Sequence, residues 1–251
     1  MCEAPRCCTI LKYVRCAVIL LSFLLGCIHR FDPRMTAGHV AVKEIILACD
    51  DEDAQTCKIG GAAAAGTATR IIWNDSYYWL TAAHVCSLSS GLGTSLARQV
   101  VITSGGSGEQ TPVERITYNV SSDLCLMPAK TGPAREIARK DPALGEPVSI
   151  IAYPGGAFSS NTLPIYDGRF TGRSEGRCLS TIPVSGGSSG AGVLDEDGAV
   201  VGVVSAVMKS FNHYTITVCL SDLRDFLVIA APQVQAAEAA AVQTAGQKKQ
   251  E

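Results

Sequence analysis

The chain lacks the spacings that mark most cofactor sites. No two of its 11 cysteines form a CxxC pair, no histidine stands at zinc-ligand spacing from a cysteine or carboxylate, and no phosphate-cradling or dinucleotide-binding glycine loop occurs. No cofactor and no metal are expected. Charge of one sign is missing too. With 21 basic and 23 acidic residues the formal net charge is -2, and no polycationic stripe is available to neutralise phosphates, so nucleic acid is not an expected partner. The apolar run from Cys16 to Gly26 is shorter than the roughly 17 to 25 residues of a membrane-spanning helix. Helical periodicity is scarce before the C-terminal residues.

What is present suits an all-β protein. Of 251 residues 47% are hydrophobic, enough for a substantial core, and from Val40 onward short apolar segments alternate with Gly, Asp, Asn, Ser and Pro. Strands are expected over Val40 to Ala48, Gly66 to Trp73, Tyr77 to Thr81, Gln99 to Thr103, Val113 to Tyr118, Leu124 to Pro128, Pro147 to Ala152, Tyr166 to Thr171, Ala191 to Asp195, Ala199 to Val207 and Tyr214 to Cys219. About a dozen strands fit two antiparallel barrels. Asp195-Glu196-Asp197-Gly198 reads as a hairpin turn. Ala129 to Gly145, without alternation, reads as the connection between barrels, with a boundary near Asp141. Asp222 to Leu227 spaces apolar residues as a short terminal helix with Ser221 as N-cap. From Pro232 the Ala- and Gln-rich tail is expected to be frayed helix or unordered.

The first 30 residues read as an export signal, because Lys12 and Arg15 precede the apolar run and His29 and Arg30 close it. Leu24-Leu25-Gly26-Cys27 resembles the bacterial lipobox, which implies lipidation of Cys27 and a membrane tether, with an ordinary secretory signal as the alternative. Setting aside the signal cysteines and Cys27 leaves Cys49, Cys57, Cys86, Cys125, Cys178 and Cys219, an even set that suits an oxidising compartment. Their pairing is open. Cys49 and Cys57 are close enough to staple a local loop, and Cys125 and Cys178 can also be read as buried free thiols.

Three motifs carry chemistry. Trp79-Leu80-Thr81-Ala82-Ala83-His84-Val85 is an apolar strand that runs into a histidine. Ser122-Asp123-Leu124-Cys125-Leu126 places an acid just before a strand, 39 residues after His84 and 66 before Ser189. Gly186-Gly187-Ser188-Ser189-Gly190-Ala191-Gly192-Val193 sets a serine among glycines that can turn amides toward one point. A hydroxyl, a base, an orienting carboxylate and oxyanion donors are what serine-dependent acyl transfer needs.

These motifs resemble those of chymotrypsin-like serine proteases, particularly compact bacterial members of the Deg/HtrA and glutamyl-endopeptidase kinds. The resemblance covers roughly residues 60 to 227. It implies two six-stranded barrels with the active site between them, Ser189 as nucleophile, His84 as general base and Asp123 as its orienting carboxylate. It also implies an oxyanion hole of the Gly187 and Ser189 amides, and a protein or peptide substrate pairing along Ser205, Ala206 and Val207. By the same resemblance Pro183 floors the primary specificity pocket, where members specific for Lys or Arg carry an aspartate. Ser188 stands where digestive members carry an aspartate that captures a new N-terminus, so no N-terminal cleavage is expected to be needed. The expected organisation is a signal peptide over 1–26, a spacer over 27–39, barrels over 40–140 and 141–231 with the short helix, and a tail over 232–251. The alternative function is a catalytically silent protease-fold lipoprotein that binds peptides or an envelope partner.

Overall fold

The structure, a computed structural model, describes residues 33–50, 53–88, 94–156, 162, 164–208 and 211–247. The expected signal peptide, Cys27 and the first part of the spacer lie outside the described residues. After a 3-10 turn (Pro33–Thr36), β1 (Ala37–Asp50) and β2 (Asp53–Trp73) form a long antiparallel hairpin, followed by β3 (Ser76–Thr81) and a one-turn helix α1 (Ala83–Cys86). Next come β4 (Thr94–Ser104), β5 (Gln110–Val113), β6 (Thr117–Asn119) and β7 (Leu124–Pro128). These strands make one curled sheet in the order β5-β4-β1-β2-β3-β7-β6. The second half holds β8 (Pro147–Ile151), β9 (Ile165–Ser174), β10 (Arg177–Ser180), β11 (Gly192–Leu194), β12 (Val200–Met208) and β13 (Phe211–Cys219), then helix α2 (Leu220–Gln247). Its six strands close a barrel in the order β10-β13-β12-β11-β8-β9.

The fold class is the expected one, with three differences of detail. The first sheet is a seven-stranded half-barrel, because the single strand expected over Val113 to Tyr118 divides: β5 pairs back on β4 while β6 pairs on β7, leaving two edges. β10 is an added strand, entered through a tight turn in which Glu175 and Gly176 both have positive φ (51° and 75°). The terminal helix is 28 residues long and runs through the segment expected to be frayed or unordered. Ser221 lies within its first turn. Leu223, Phe226, Leu227, Ala230, Ala231 and Val234 recur at helical spacing and are all buried, so tertiary packing outweighs the weak local signal past Pro232.

That helix positions both halves of the molecule. β3 and β7 are buried on both faces: Trp79, Cys125 and Met127 enter the core of the first sheet, while Tyr78, Leu80, Leu124 and Leu126 join the core that α2 shares with the second barrel. The connecting segment also touches both, with bridges Ile71 to Arg135 and Ile137 to Val200. The Asp195–Gly198 hairpin turn forms as expected, with Gly198 at φ 78° and Ala199 N–H donating to Asp195 Oδ1 at 2.8 Å. Disulfides join Cys86 to Cys125 and Cys178 to Cys219, which removes the free-thiol reading of Cys125 and Cys178. Cys49 and Cys57 are opposite one another in the β1–β2 register.

Candidate active site

β3 and β7 are antiparallel neighbours whose last rung pairs Thr81 with Cys125. The chain leaving β3 and the chain entering β7 therefore meet at one end of the ladder, and that is where His84 and Asp123 stand. Ala82, in extended backbone, turns β3 into α1, whose Ala83, Val85 and Cys86 are buried while His84 is 48% exposed. One helical turn with three anchored residues leaves the imidazole facing outward. Beyond it, the Leu88 amide donates to Glu44 Oε2 at 2.8 Å, and Arg98 bonds both Glu44 Oε1 (2.7 Å) and Ser87 Oγ (3.1 Å), bracing the exit from α1.

Asp123 is delivered by a compact turn. Asn119 Oδ1 accepts from the amides of Ser121 (2.9 Å) and Ser122 (3.2 Å), and Asp123 itself takes φ 54°, a left-handed conformation that Asp tolerates better than most residues. Its carboxylate accepts from His84 Nδ1 (2.9 Å to Oδ1, 3.0 Å to Oδ2), from the His84 amide (3.1 Å) and from Ser205 Oγ (2.5 Å). Burial pushes this carboxyl upward, but the hydrogen bonds from His84 and Ser205 outweigh burial and hold it below the ordinary carboxylate range. An ionised carboxylate only accepts, so Nδ1 carries the hydrogen and the neutral imidazole keeps Nε2 as its basic atom.

The Ser189 loop, from the second barrel, packs against β2. The Ser189 carbonyl accepts from the Thr67 amide at 2.8 Å, and Gly66 is wedged between that carbonyl and the side chain of Val85, the residue after His84. Gly187 has φ 95°, and a Cβ there would press to 2.8 Å on the Tyr153 carbonyl. Within the loop, Ser188 N–H donates to Ser185 O (3.0 Å) and Gly190 N–H to Val204 O (2.8 Å). The alternate amides, those of Gly187 and Ser189, have no hydrogen-bond partner among the described residues. They are the two expected to hold an oxyanion.

Of the other residues singled out from sequence, Ser205 touches this pair. Ser205 is half-buried on β12, and its hydroxyl is spent on Asp123, a role that its place in a generic apolar strand did not reveal. Ala206 is exposed and Val207 is half-buried against the core, opposite Thr215. Pro183 is exposed just after the buried Ile182, whose carbonyl accepts from Thr215 Oγ1 at 2.5 Å. Ser188 is buried and uncharged. Thr67 and Glu44 escaped sequence reasoning; each is one of several polar side chains in its strand and nothing local sets it apart.

The family profile described as Trypsin-like peptidase domain matches residues 66–203. No curated protein sequence matches significantly. Solved structures similar to the chain include the Rv3671c protease from M. tuberculosis in its active form, with 18% identity, a TM-score of 0.55 and coverage of 77% of this chain and 81% of that one. The HtrA-type protease AlgW with a decapeptide is 16% identical, with a TM-score of 0.55 over 78% of this chain and 65% of that one. A serine endoprotease from Yersinia pestis is 14% identical, with a TM-score of 0.55 over 77% and 62%.

Proposed function

The chain belongs to the trypsin-like peptidase family and is a serine endopeptidase; from that premise we propose that it works through an acyl-enzyme formed on Ser189, with His84 as general base and Asp123 as its orienting carboxylate. The observation that carries this reading is the His84 Nδ1 to Asp123 hydrogen bond at 2.9 Å, made beside the loop that presents Ser189. With Nδ1–H committed to Asp123, Nε2 takes the Ser189 Oγ proton as Oγ adds to the scissile carbonyl. The carbonyl oxygen becomes an oxyanion between the amides of Gly187 and Ser189. His84 then protonates the departing amine as the C–N bond breaks. Water, losing a proton to His84, adds to the ester and releases the acid while Oγ regains its proton.

A fluorophosphonate probe tests this directly. It is expected to label the wild type and not Ser189→Ala, and His84→Ala is expected to lower peptide-ester turnover by about 10⁴ to 10⁶-fold without unfolding the protein. Wild-type turnover in Ser189→Ala would sink the assignment.

The Cys86–Cys125 and Cys178–Cys219 disulfides agree with an exported protein, and no helix among the described residues is long and apolar enough to cross a membrane. We further propose that export ends in a lipid tether at Cys27, supported by the lipobox-like Leu24-Leu25-Gly26-Cys27. Mass spectrometry of the envelope fraction should find Cys27 N-terminal and acylated; a free Cys27 thiol there contradicts the tether.

A further inference from the structure

One residue of the first sheet holds the nucleophile loop of the second barrel on both sides of Ser189. Thr67, on β2, is fully buried and makes four hydrogen bonds. Its amide donates to Ser189 O at 2.8 Å and its hydroxyl donates to Gly187 O at 2.9 Å. That hydroxyl also accepts from the Tyr153 amide at 3.0 Å, and the Thr67 carbonyl accepts from Thr81 Oγ1 at 2.7 Å. Two residues along the same face of β2, Thr69 Oγ1 accepts from the Gly192 amide at 2.7 Å, a second cross-barrel bond that lies beyond the loop.

The carbonyls that Thr67 ties belong to Gly187 and Ser189, whose own amides point free. A peptide unit is planar, so fixing a carbonyl fixes the plane and direction of the amide that follows it. Here Gly187 O is held by Thr67, Ser188 N–H by Ser185 O, Ser188 O by the Ala191 amide (3.1 Å) and Ser189 O again by Thr67. The Gly155 amide holds Gly186 O at 2.6 Å and so sets the plane that carries Gly187 N–H. The Thr67 hydroxyl links these groups: it joins Gly187 O to the Tyr153 amide, two residues before Gly155. Ser188 supplies no charge with which to lock this loop ionically.

We propose that Thr67 is a positioning residue of the oxyanion hole: from the first sheet it fixes the Gly187–Ser188 and Ser189–Gly190 peptide units, which alternate with the units that carry the Gly187 and Ser189 amides, and so holds those two amides in convergence on the transition state. This rests on the acyl-enzyme reading above. Oxyanion donors act on the transition state rather than on bound substrate, so loss of the hydroxyl should appear in kcat and leave KM nearly unchanged.

Thr67→Val keeps the shape and deletes the hydroxyl, Thr67→Ser keeps the hydroxyl, and Thr69→Val removes the neighbouring cross-barrel bond as a control. Each folded variant, checked by thermal melting, is assayed for kcat and KM on a peptide ester and for the rate of fluorophosphonate labelling of Ser189. Expected are a fall of about 10²-fold in kcat and labelling for Thr67→Val, and values within a few-fold of wild type for Thr67→Ser and Thr69→Val. Unchanged kcat and labelling in Thr67→Val, even with lowered melting temperature, overturns the proposal. So does an equal loss in Thr69→Val, which would mean general barrel docking, or in Thr67→Ser, which would show that the hydroxyl is not the agent. If Thr67→Val does not fold, Thr67→Cys takes its place under the same criteria. A wild type that the probe does not label overturns the acyl-enzyme reading instead, a separate failure.

Discussion

Cys86 is disulfide-bonded to Cys125, and the bridge ties the residue two past His84 to the residue two past Asp123. Both cysteines are buried in the core of the first sheet, beside the last rung of β3 and β7. The bridge therefore fixes the origin of α1 relative to the origin of β7, and the imidazole and carboxylate project from those two origins. A small relative shift of these segments would lengthen the His84 to Asp123 hydrogen bond.

Replacing both cysteines by alanine is expected to lower stability by about 2 to 4 kcal/mol, since the bridge closes a long loop in the unfolded chain. It should also lower kcat more than KM. Chemical denaturation and steady-state kinetics on the double variant check both, and an unchanged kcat would separate the bridge from catalysis.

Acid should weaken the fold through two carboxylates. Burial pushes the Glu44 carboxyl upward, but hydrogen bonds from Ser95, Arg98 and the Leu88 amide overcome this and hold it below its ordinary value, as happens at Asp123. A lowered folded pKa contributes stability that is full above the unfolded value, about 4, and is lost as pH falls through the folded value. Melting temperature should therefore stay high down to about pH 5 and drop below about pH 4. Glu44→Gln should lose about 2 kcal/mol at neutral pH and flatten the acid limb. A melting curve that keeps its acid limb in Glu44→Gln assigns that limb elsewhere.

Much of this molecule was legible in its sequence, and the reasons differ by element. β7 was read with its observed bounds because it is buried on both faces and appears as an unbroken apolar run closed by Pro128. The His84, Asp123 and Ser189 motifs were legible because each is local. What links these segments is not local: the Thr81 to Cys125 rung joins those of His84 and Asp123, Thr67 ties the Ser189 loop to β2, and a threonine hydroxyl in a Gly/Ala-rich strand carries no sign of a partner 120 residues away. The long α2 was underestimated because its buried stripe relies on Ala and spans Pro232, so packing rather than propensity sustains it.

The primary pocket should favour small or medium apolar side chains. Pro183 places no carboxylate at the expected floor, and among the expected substrate-pairing residues Val207 carries a branched side chain that is half-buried against the core. A substrate cation there would be desolvated without a partner. Among otherwise identical peptides with Ala, Val, Phe, Arg or Glu before the cut, Ala or Val should be cleaved fastest. Val207→Gly should improve cleavage after Phe by about 10-fold or more. Fastest cleavage after Arg, Glu or Phe by the wild type would refute this pocket.

Helix α2 should be divisible into an essential and a dispensable part. Leu227→Ala removes a fully buried side chain shared by both halves and should lower stability by about 2 to 5 kcal/mol. Ending the chain after Glu238, beyond Val234, the last buried residue among those described, should change it by less than about 1 kcal/mol. Urea titrations of the two variants distinguish these outcomes, and similar midpoints would show that the helix is not a shared strut.

Gly190, at φ 86°, has no room for a side chain, because a Cβ there would collide with Thr81 Oγ1 and the Thr67 carbonyl. The nucleophile loop is thus moulded against a surface that the ribosome has released long before it. During synthesis His84 and Asp123 emerge well before Ser189. When Ser189 arrives, Asp123 still lacks Ser205 and the Gly190 amide still lacks Val204, both of which come later in the chain. The hydrogen bonds that brace Asp123 and the nucleophile loop are thus complete only once β12 has been made.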